Sequence, residues 1–383
     1  RGITLVPLLA PSLLAAISLI YWFGNQGALK DALRALGIAQ IYGAPGIVMA
    51  ECFAVFPHAL MILVTALSLA DARLYEAADA LGATAWRKFL TITLPGAMPG
   101  TTRQLRVFSF GEPGARPKAH LQAGLHADEP AGMMILRELC RLLAAAEDAG
   151  EIVGEIVVIP VANPLGIDQA VNGAVMGRYE LRTGTNFNRG WPNLADGLAE
   201  AVRKRLGKDP RENVELVRRE LKRRVAALRG DSPVMAQRSA LARRAFDADL
   251  VVDLHCDDEA LSYMMSPDEL WDEAKRFAAD VGVHSLQPGG GGSGAQCFDE
   301  SFLAPWLALN REFGGRVPVA CQAFTFEMGG VLDVEPKQAA RHAQGFFRYL
   351  RRIGCIAGGV PRKSRNVVQE FREFEMLDSP AGG

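Results

Sequence analysis

The 383-residue chain lacks any charge imbalance: 42 lysines and arginines face 43 aspartates and glutamates, for a formal net charge of −1. A surface that holds nucleic acid or anionic lipid by global electrostatic pull is therefore excluded. Paired cysteines are missing too. Cys52, Cys140, Cys256, Cys297, Cys321 and Cys355 are scattered without CxxC spacing, which excludes a thiolate zinc site, supplies no disulfide framework and fits a reducing compartment. There is no initiator methionine: the chain opens at Arg1 and stops at Gly383, shortly after Pro380, from which we expect both ends to be cuts. The length exceeds the usual single domain and predicts two.

Charge is absent from 3–23 and nearly absent from 46–70, which is interrupted only by Glu51, Pro57 and His58. Each run is long enough to cross a bilayer at ~1.5 Å per residue, so the spacing predicts a pair of transmembrane helices. Pro57 would kink the second span without forbidding it. Arg73, Arg87 and Lys88 follow that span, while the connecting segment 24–37 carries Lys30 and Arg34. This mild positive-inside bias places 71–95 in the cytoplasm.

Within 71–95, Glu76-Ala77-Ala78, Gly82 and Ile92-Thr93-Leu94-Pro95 stand at the EAA...G...I-LP spacing. On this motif, residues 1–98 resemble binding-protein-dependent ABC importer permeases, and the flanking sequence looks like permeases for phosphonate-type or iron-type solutes. The resemblance implies that 71–95 docks on an ATPase subunit. Such permeases need several more spans than two, and here the chain leaves the motif straight into soluble sequence.

Beyond Pro99-Gly100 the texture changes. Strand-like runs at 104–110, 118–123, 155–161, 249–254 and 321–328 alternate with amphipathic helical runs at 131–148, 199–246 and 336–353. The alternation predicts an α/β sheet flanked by helices, with ligands beyond the strand ends. Three candidate metal ligands obey that rule. His126 follows one strand by three residues, Glu129 stands three further on in the turn that starts a helix, and His255 ends another strand. A catalytic zinc takes three His or carboxylate ligands and leaves a position for water, whose pKa it lowers toward ~7. Glu327, late on a further strand, would be the general base that takes the water proton and returns it to the leaving amine. Asn188-Arg189 offers a fork for a substrate carboxylate.

The order HxxE, Asn-Arg, strand-ending His and late Glu resembles zinc carboxypeptidases in the broad sense. More closely, through Gly124-Leu125-His126-Ala127-Asp128-Glu129, Asn163-Pro164, Asn188-Arg189, Asp253-Leu254-His255 and Glu327, residues 101–360 resemble the succinylglutamate desuccinylase/aspartoacylase family. The resemblance implies a zinc-carboxypeptidase-like mixed sheet and one zinc on His126, Glu129 and His255. It also implies hydrolysis of an N-acyl amino acid or related amide, and an arginine upstream of Asn188 that polarises the scissile carbonyl. Arg178 and Arg182 both stand there, and neither has quite the expected offset. The stretch 361–383 reads as the start of a truncated C-terminal β domain. Two other functions stay open: a peptide-cleaving carboxypeptidase, and a fragment of an ABC importer permease.

Blander readings cover the remaining features. His120, His284 and His342 read as core-edge or surface histidines, and Cys256 as a small buried residue. Asp253 reads either as an acceptor for the His255 imidazole or as a structural residue. Asp257 and Asp258 read as solvated loop charges. The arginine-rich stretch 202–244 reads as a charged helical insertion, because Glu215, Glu220 and Asp231 intersperse it. Gly289 to Gly292 lacks the lysine of a phosphate loop and reads as a loop near the site.

Overall fold

The computed structural model describes residues 12–35, 37–38, 40–52, 84–89, 103–289, 296–359, 361–362, 364 and 366–371. The chain divides into two units, Arg1–Thr102 and Arg103–Gly383.

In the first unit, helices cover Ser12–Phe23, Lys30–Ala35 and residues 44–52. A single helical turn, Ala85–Lys88, starts at Thr84, whose Oγ1 accepts from the Arg87 backbone N–H at 3.3 Å. Among the described residues no helix is long and apolar enough to cross a membrane. Within those residues the expected transmembrane pair is not seen, and only the 12 residues of Ser12–Phe23 describe the first expected span. Residues 3–11 of the first expected span, 53–70 of the second and all the fixed positions of the EAA pattern lie outside the described residues.

The second unit is built on strands β1 (Phe108–Phe110), β2 (Lys118–Ala123) and β3 (Glu155–Ile159), the small hairpins β4–β5 (Ala170–Val171, Ala174–Val175) and β6–β7 (Tyr179–Glu180, Thr185–Asn186), then β8 (Leu250–Asp257), β9 (Tyr263–Ser266), β10 (Ser285–Pro288), β11 (Gln322–Gly330) and β12 (Gln369–Glu370). Outside the hairpins these form one mixed sheet in the order β1-β3-β2-β8-β11-β9-β10-β12. The pairs β3/β2, β2/β8 and β8/β11 are parallel, and β11/β9 is antiparallel. Every residue of β2 is buried, and in β8 only Asp257 is not. A parallel strand covered on both faces demands that pattern.

The helices that cover the sheet are α1 (Pro130–Asp148), α2 (Pro210–Ala226), α3 (Pro233–Ala245), α4 (Trp271–Val281), α5 (Phe298–Phe313) and α6 (Pro336–Arg352). In α1 the buried Ile135, Leu136, Leu139, Leu143 and Ala146 follow helical steps. Helix α1 packs on β2, β8 and α6, while α4 packs on α6 and β9. Phe277 of α4 stacks on Tyr349 of α6, with centroids 3.7 Å apart, and meets Phe324 and Phe326 of β11 edge-on. Burying each such ring is worth ~1.5–3 kcal/mol. The expected helical run 199–246 is three helices, Leu198–Arg203, α2 and α3. The breaks fall where Asp209 and Ser232 cap chains that begin with Pro210 and Pro233. All five expected strands are present, the first narrowed to Phe108–Phe110. Because β2, β8 and β11 are mutually parallel, their C-terminal ends share one edge of the sheet.

Candidate metal centre

At that edge, β2 gives way at Gly124, whose φ of +65° is a left-handed conformation that glycine adopts without strain. The turn carrying His126 is held by Asn163, whose Nδ2 donates to the Leu125 carbonyl at 2.8 Å while its Oδ1 accepts from Gly166 N at 2.7 Å. Ala127 N donates to the Gly177 carbonyl at 3.1 Å. A side chain at Gly177 would put its Cβ 2.3 Å from Asp128 N, so glycine there lets the two backbones touch. Glu129 is the N-cap residue of α1, directly before Pro130. The turn thus sets His126 and Glu129 toward one point.

His255 reaches that point from β8. Its Nδ1 lies 2.6 Å from Glu129 Oε2, and His126 Nδ1 lies 2.9 Å from Glu129 Oε1. The two rings stand edge-on, 4.9 Å apart. All three side chains are buried, and one donor atom from each lies within 4.8 Å of the others. The far ring nitrogens are gripped: His126 Nε2 lies 3.0 Å from Asn186 Oδ1, and His255 Nε2 lies 3.0 Å from Asp253 Oδ2. Burial alone would push the Glu129 carboxyl up. The charge of His255 and hydrogen bonds from both imidazoles outweigh it and hold the carboxyl well below the usual range. His255 is the converse: burial disfavours its charge, but Asp253 and Glu129 raise its pKa well above the ordinary value.

Glu327 sits on β11 in direct register with His255 on β8 and with Tyr263 on β9. Residues so paired share a face of the sheet. Burial pushes its carboxyl up to about 8, with the charge of His255 opposing and that of Glu129 assisting. Its Oε2 is buried with no hydrogen-bond partner. Two imidazole nitrogens, one carboxylate, oriented far nitrogens and an unsatisfied buried carboxylate beside them fit a catalytic metal ion better than a purely structural cluster.

The arginines separate. Arg178 NH1 donates to Glu129 Oε1 at 3.0 Å, whereas Arg182 is 73% exposed and only 3.8 Å from Glu180. Asn188 is buried, with its Nδ2 3.1 Å from His255 Nε2 and its Oδ1 accepting from Phe298 N at 2.9 Å. Arg189 is exposed and donates to the Asn188 carbonyl at 2.8 Å. Residues 186–190 are pinned by Arg238 of α3, which donates to the carbonyls of Asn186, Arg189 and Gly190 at 3.0, 2.6 and 2.9 Å. Composition hid Arg238 in a charged insertion. Asn186 also escaped the sequence reading, although its Asn-x-Asn turn, with Oδ1 2.8 Å from Asn188 N, is a local signal. Cys256 is buried and its thiol is pushed up to about 12, mainly by burial, as a small structural residue should be. His284 and His342 find partners away from the centre, Ser262 Oγ at 2.9 Å and the Val281 carbonyl at 3.1 Å. Residues 290–295 of the glycine-rich loop lie outside the described residues.

An α/β sheet with a buried His–Glu–His set at its strand ends is the arrangement of a metal-dependent hydrolase. More particularly, residues 115–224 match the family model of the succinylglutamate desuccinylase/aspartoacylase catalytic domain. Among solved structures, the chain is similar to a protein of Shewanella frigidimarina described as a succinylglutamate desuccinylase/aspartoacylase, at 25% identity and TM-score 0.59, covering 66% of this chain and 68% of that one. A family protein of Shewanella amazonensis matches at 26% identity and TM-score 0.57, covering 66% and 69%. Residues 1–110 match the binding-protein-dependent transport system inner membrane component. Molybdenum transport system permease proteins of Mycobacterium tuberculosis and Haemophilus influenzae are 33% and 32% identical over 30% of this chain, which covers 45% and 52% of their lengths. The chain thus spans about half the length of these curated relatives. They are named for molybdenum transport, not for the phosphonate-type or iron-type solutes that the flanking sequence suggested. Both parts of the resemblance read from the motifs are borne out.

Proposed function

We propose that the second unit is a zinc-dependent amide hydrolase that removes the acyl group from an N-acyl amino acid or a similar carboxylate-bearing amide. The observation that carries this reading is the convergence of His126 Nδ1, His255 Nδ1 and both Glu129 oxygens at the strand ends, with Glu327 in register beside His255. His126, Glu129 and His255 would hold the ion. When bound, zinc supplies a Lewis acid that polarises a carbonyl and acidifies water. Glu327 takes the water proton and delivers it to the leaving amine. Its burial supports that role, because a carboxyl poised near neutrality can both accept and return a proton. Arg178, already within 3.0 Å of Glu129, is the arginine assigned to the scissile carbonyl and its developing negative charge, in preference to Arg182. Arg189 binds the substrate carboxylate, while Asn188 lines the site beside His255. A panel comparing N-acyl amino acids, dipeptides and longer peptides tests the assignment. Turnover confined to N-acyl amino acids is expected, and turnover confined to peptides would convert the enzyme into a carboxypeptidase.

A second reading concerns the first unit and rests on its match to permeases. On it, the chain is held at the inner membrane through 1–70, with 71–95 contacting an ABC ATPase subunit and the hydrolase in the cytoplasm. The outward-facing Ile17, Ile20, Tyr21 and Trp22, 48–75% exposed, support an apolar surrounding for this helix. Recovery of the chain in the soluble fraction after lysis would overturn it.

A further inference from the structure

A line of buried polar side chains leads away from the metal centre through the middle of the sheet. Asp253, whose Oδ2 meets His255 Nε2 at 3.0 Å, accepts at Oδ1 from Gln122 Nε2 at 3.1 Å, and Gln122 Oε1 lies 3.2 Å from His120 Nε2. His120, Gln122 and Asp253 are each 0% exposed. The fold makes the line inevitable once the residues are present. Gln122 is in register with Asp253 across β2 and β8, and the two-residue period puts His120 with Gln122, and Asp253 with His255, on one face.

The direction of each bond is fixed by chemistry. A carboxylate only accepts, so Gln122 must turn its NH2 toward Asp253 and its carbonyl toward His120, whose Nε2 must carry the hydrogen. Burial keeps the His120 ring neutral, with its pKa lowered to about 4, and its Nδ1, left as an acceptor by this tautomer, has no partner. At the other end, Asp253 Oδ2 accepts from His255 Nε2–H, which leaves Nδ1 as the nitrogen that faces Glu129. Asn188 Nδ2 also lies 3.1 Å from His255 Nε2. Two donors cannot bond each other, and Asp253 is the acceptor, so the Asn188 approach is a packing contact.

Resting on the zinc reading above, we infer that Gln122 and His120 are positioning residues for the metal centre: acting through Asp253, they fix the rotation and tautomer of the ligand His255. Without the Gln122 amide, the Asp253 carboxylate can swing about its own side chain and take the imidazole with it. Filled hydrogen bonds alone would serve a structural role equally well; the difference is that a positioning role reaches the metal. Replacing residues that orient a metal ligand typically weakens metal binding ~10–100-fold, and Gln122, one residue further out, should fall at the lower end.

The test uses the full-length chain, freed of metal and titrated with Co2+, whose visible absorption reports ligand geometry. Gln122→Met keeps length and burial but neither donates nor accepts as an amide does. His120→Phe keeps a ring against Phe298, which lies 5.7 Å away between centroids. Gln122→Met should bind Co2+ about tenfold more weakly with altered visible bands, and His120→Phe should move both in the same direction by less. Folded variants with wild-type affinity and spectrum would overturn this inference alone. If Gln122→Met does not fold, His120→Phe decides by the same two readouts. A wild-type chain that takes up no Co2+, and is no different from His126→Ala, would overturn the metal reading and this inference with it.

Discussion

Removing the charge from Glu327 should stabilise the metal-free protein while disabling the enzyme. The Glu327 carboxyl is buried, its Oε2 has no partner, and its pKa is pushed from 4.5 to about 8 by burial, with His255 opposing and Glu129, Asp257 and Asp253 assisting. A rise of that size corresponds to a ceiling of about 5 kcal/mol against ionisation in the folded chain. Because the folded pKa lies above the unfolded one, the folded state holds the proton longer. Stability is then complete below about pH 4.5 and falls as pH rises toward 8. Glu327→Gln carries no such charge. In urea unfolding of metal-stripped protein, the variant should match wild type near pH 5 and exceed it at pH 8 by at least ~1 kcal/mol. A dication bound by His126, Glu129 and His255 would favour the ionised Glu327 and so offset the same penalty. Zinc should therefore erase the variant's advantage, while turnover by Glu327→Gln falls ~10²–10⁴-fold. Equal stability of the two proteins at pH 8, metal-free, would refute the reasoning.

Two further predictions separate chemistry from packing. Arg178→Ala should lower kcat ~10²-fold, as the loss of one donor to a developing oxyanion does, whereas Arg182→Ala, at a 73% exposed side chain, should leave steady-state kinetics unchanged. Leu139→Ala on the buried face of α1, where the side chain is 0% exposed, should cost ~2–5 kcal/mol in urea unfolding without changing the metal content of the folded protein.

The His–Glu–His cluster was legible because each member stands beside a local marker. His126 and Glu129 fall in the turn between a strand and a helix, and His255 closes an apolar run. The residues that hold them were not legible, since their partners are remote in sequence: Gln122 meets Asp253 across 131 positions and Arg238 meets Asn186 across 52. His120 read as a core-edge residue because a strand run does not say whether it has neighbours on both sides. In the fold β2 lies between β3 and β8, and the ring is interior. The strands β9 and β10 were missed because four-residue runs such as Tyr263-Met264-Met265-Ser266 and Ser285-Leu286-Gln287-Pro288 are too short for periodicity to register. Helix α5 was hidden by Pro305 in its interior. The three-way division of 199–246 was written in Asp209-Pro210 and Ser232-Pro233, which are start signals that helical periodicity alone overrides.

The proposed chemistry depends most on the ion. Elemental analysis of the purified full-length chain beside His126→Ala and His255→Ala tests it directly: about one zinc per chain in the wild type, lost in both variants while each stays folded, is the predicted result. A folded wild-type chain without stoichiometric metal, or variants that keep it, would contradict the assignment of the centre.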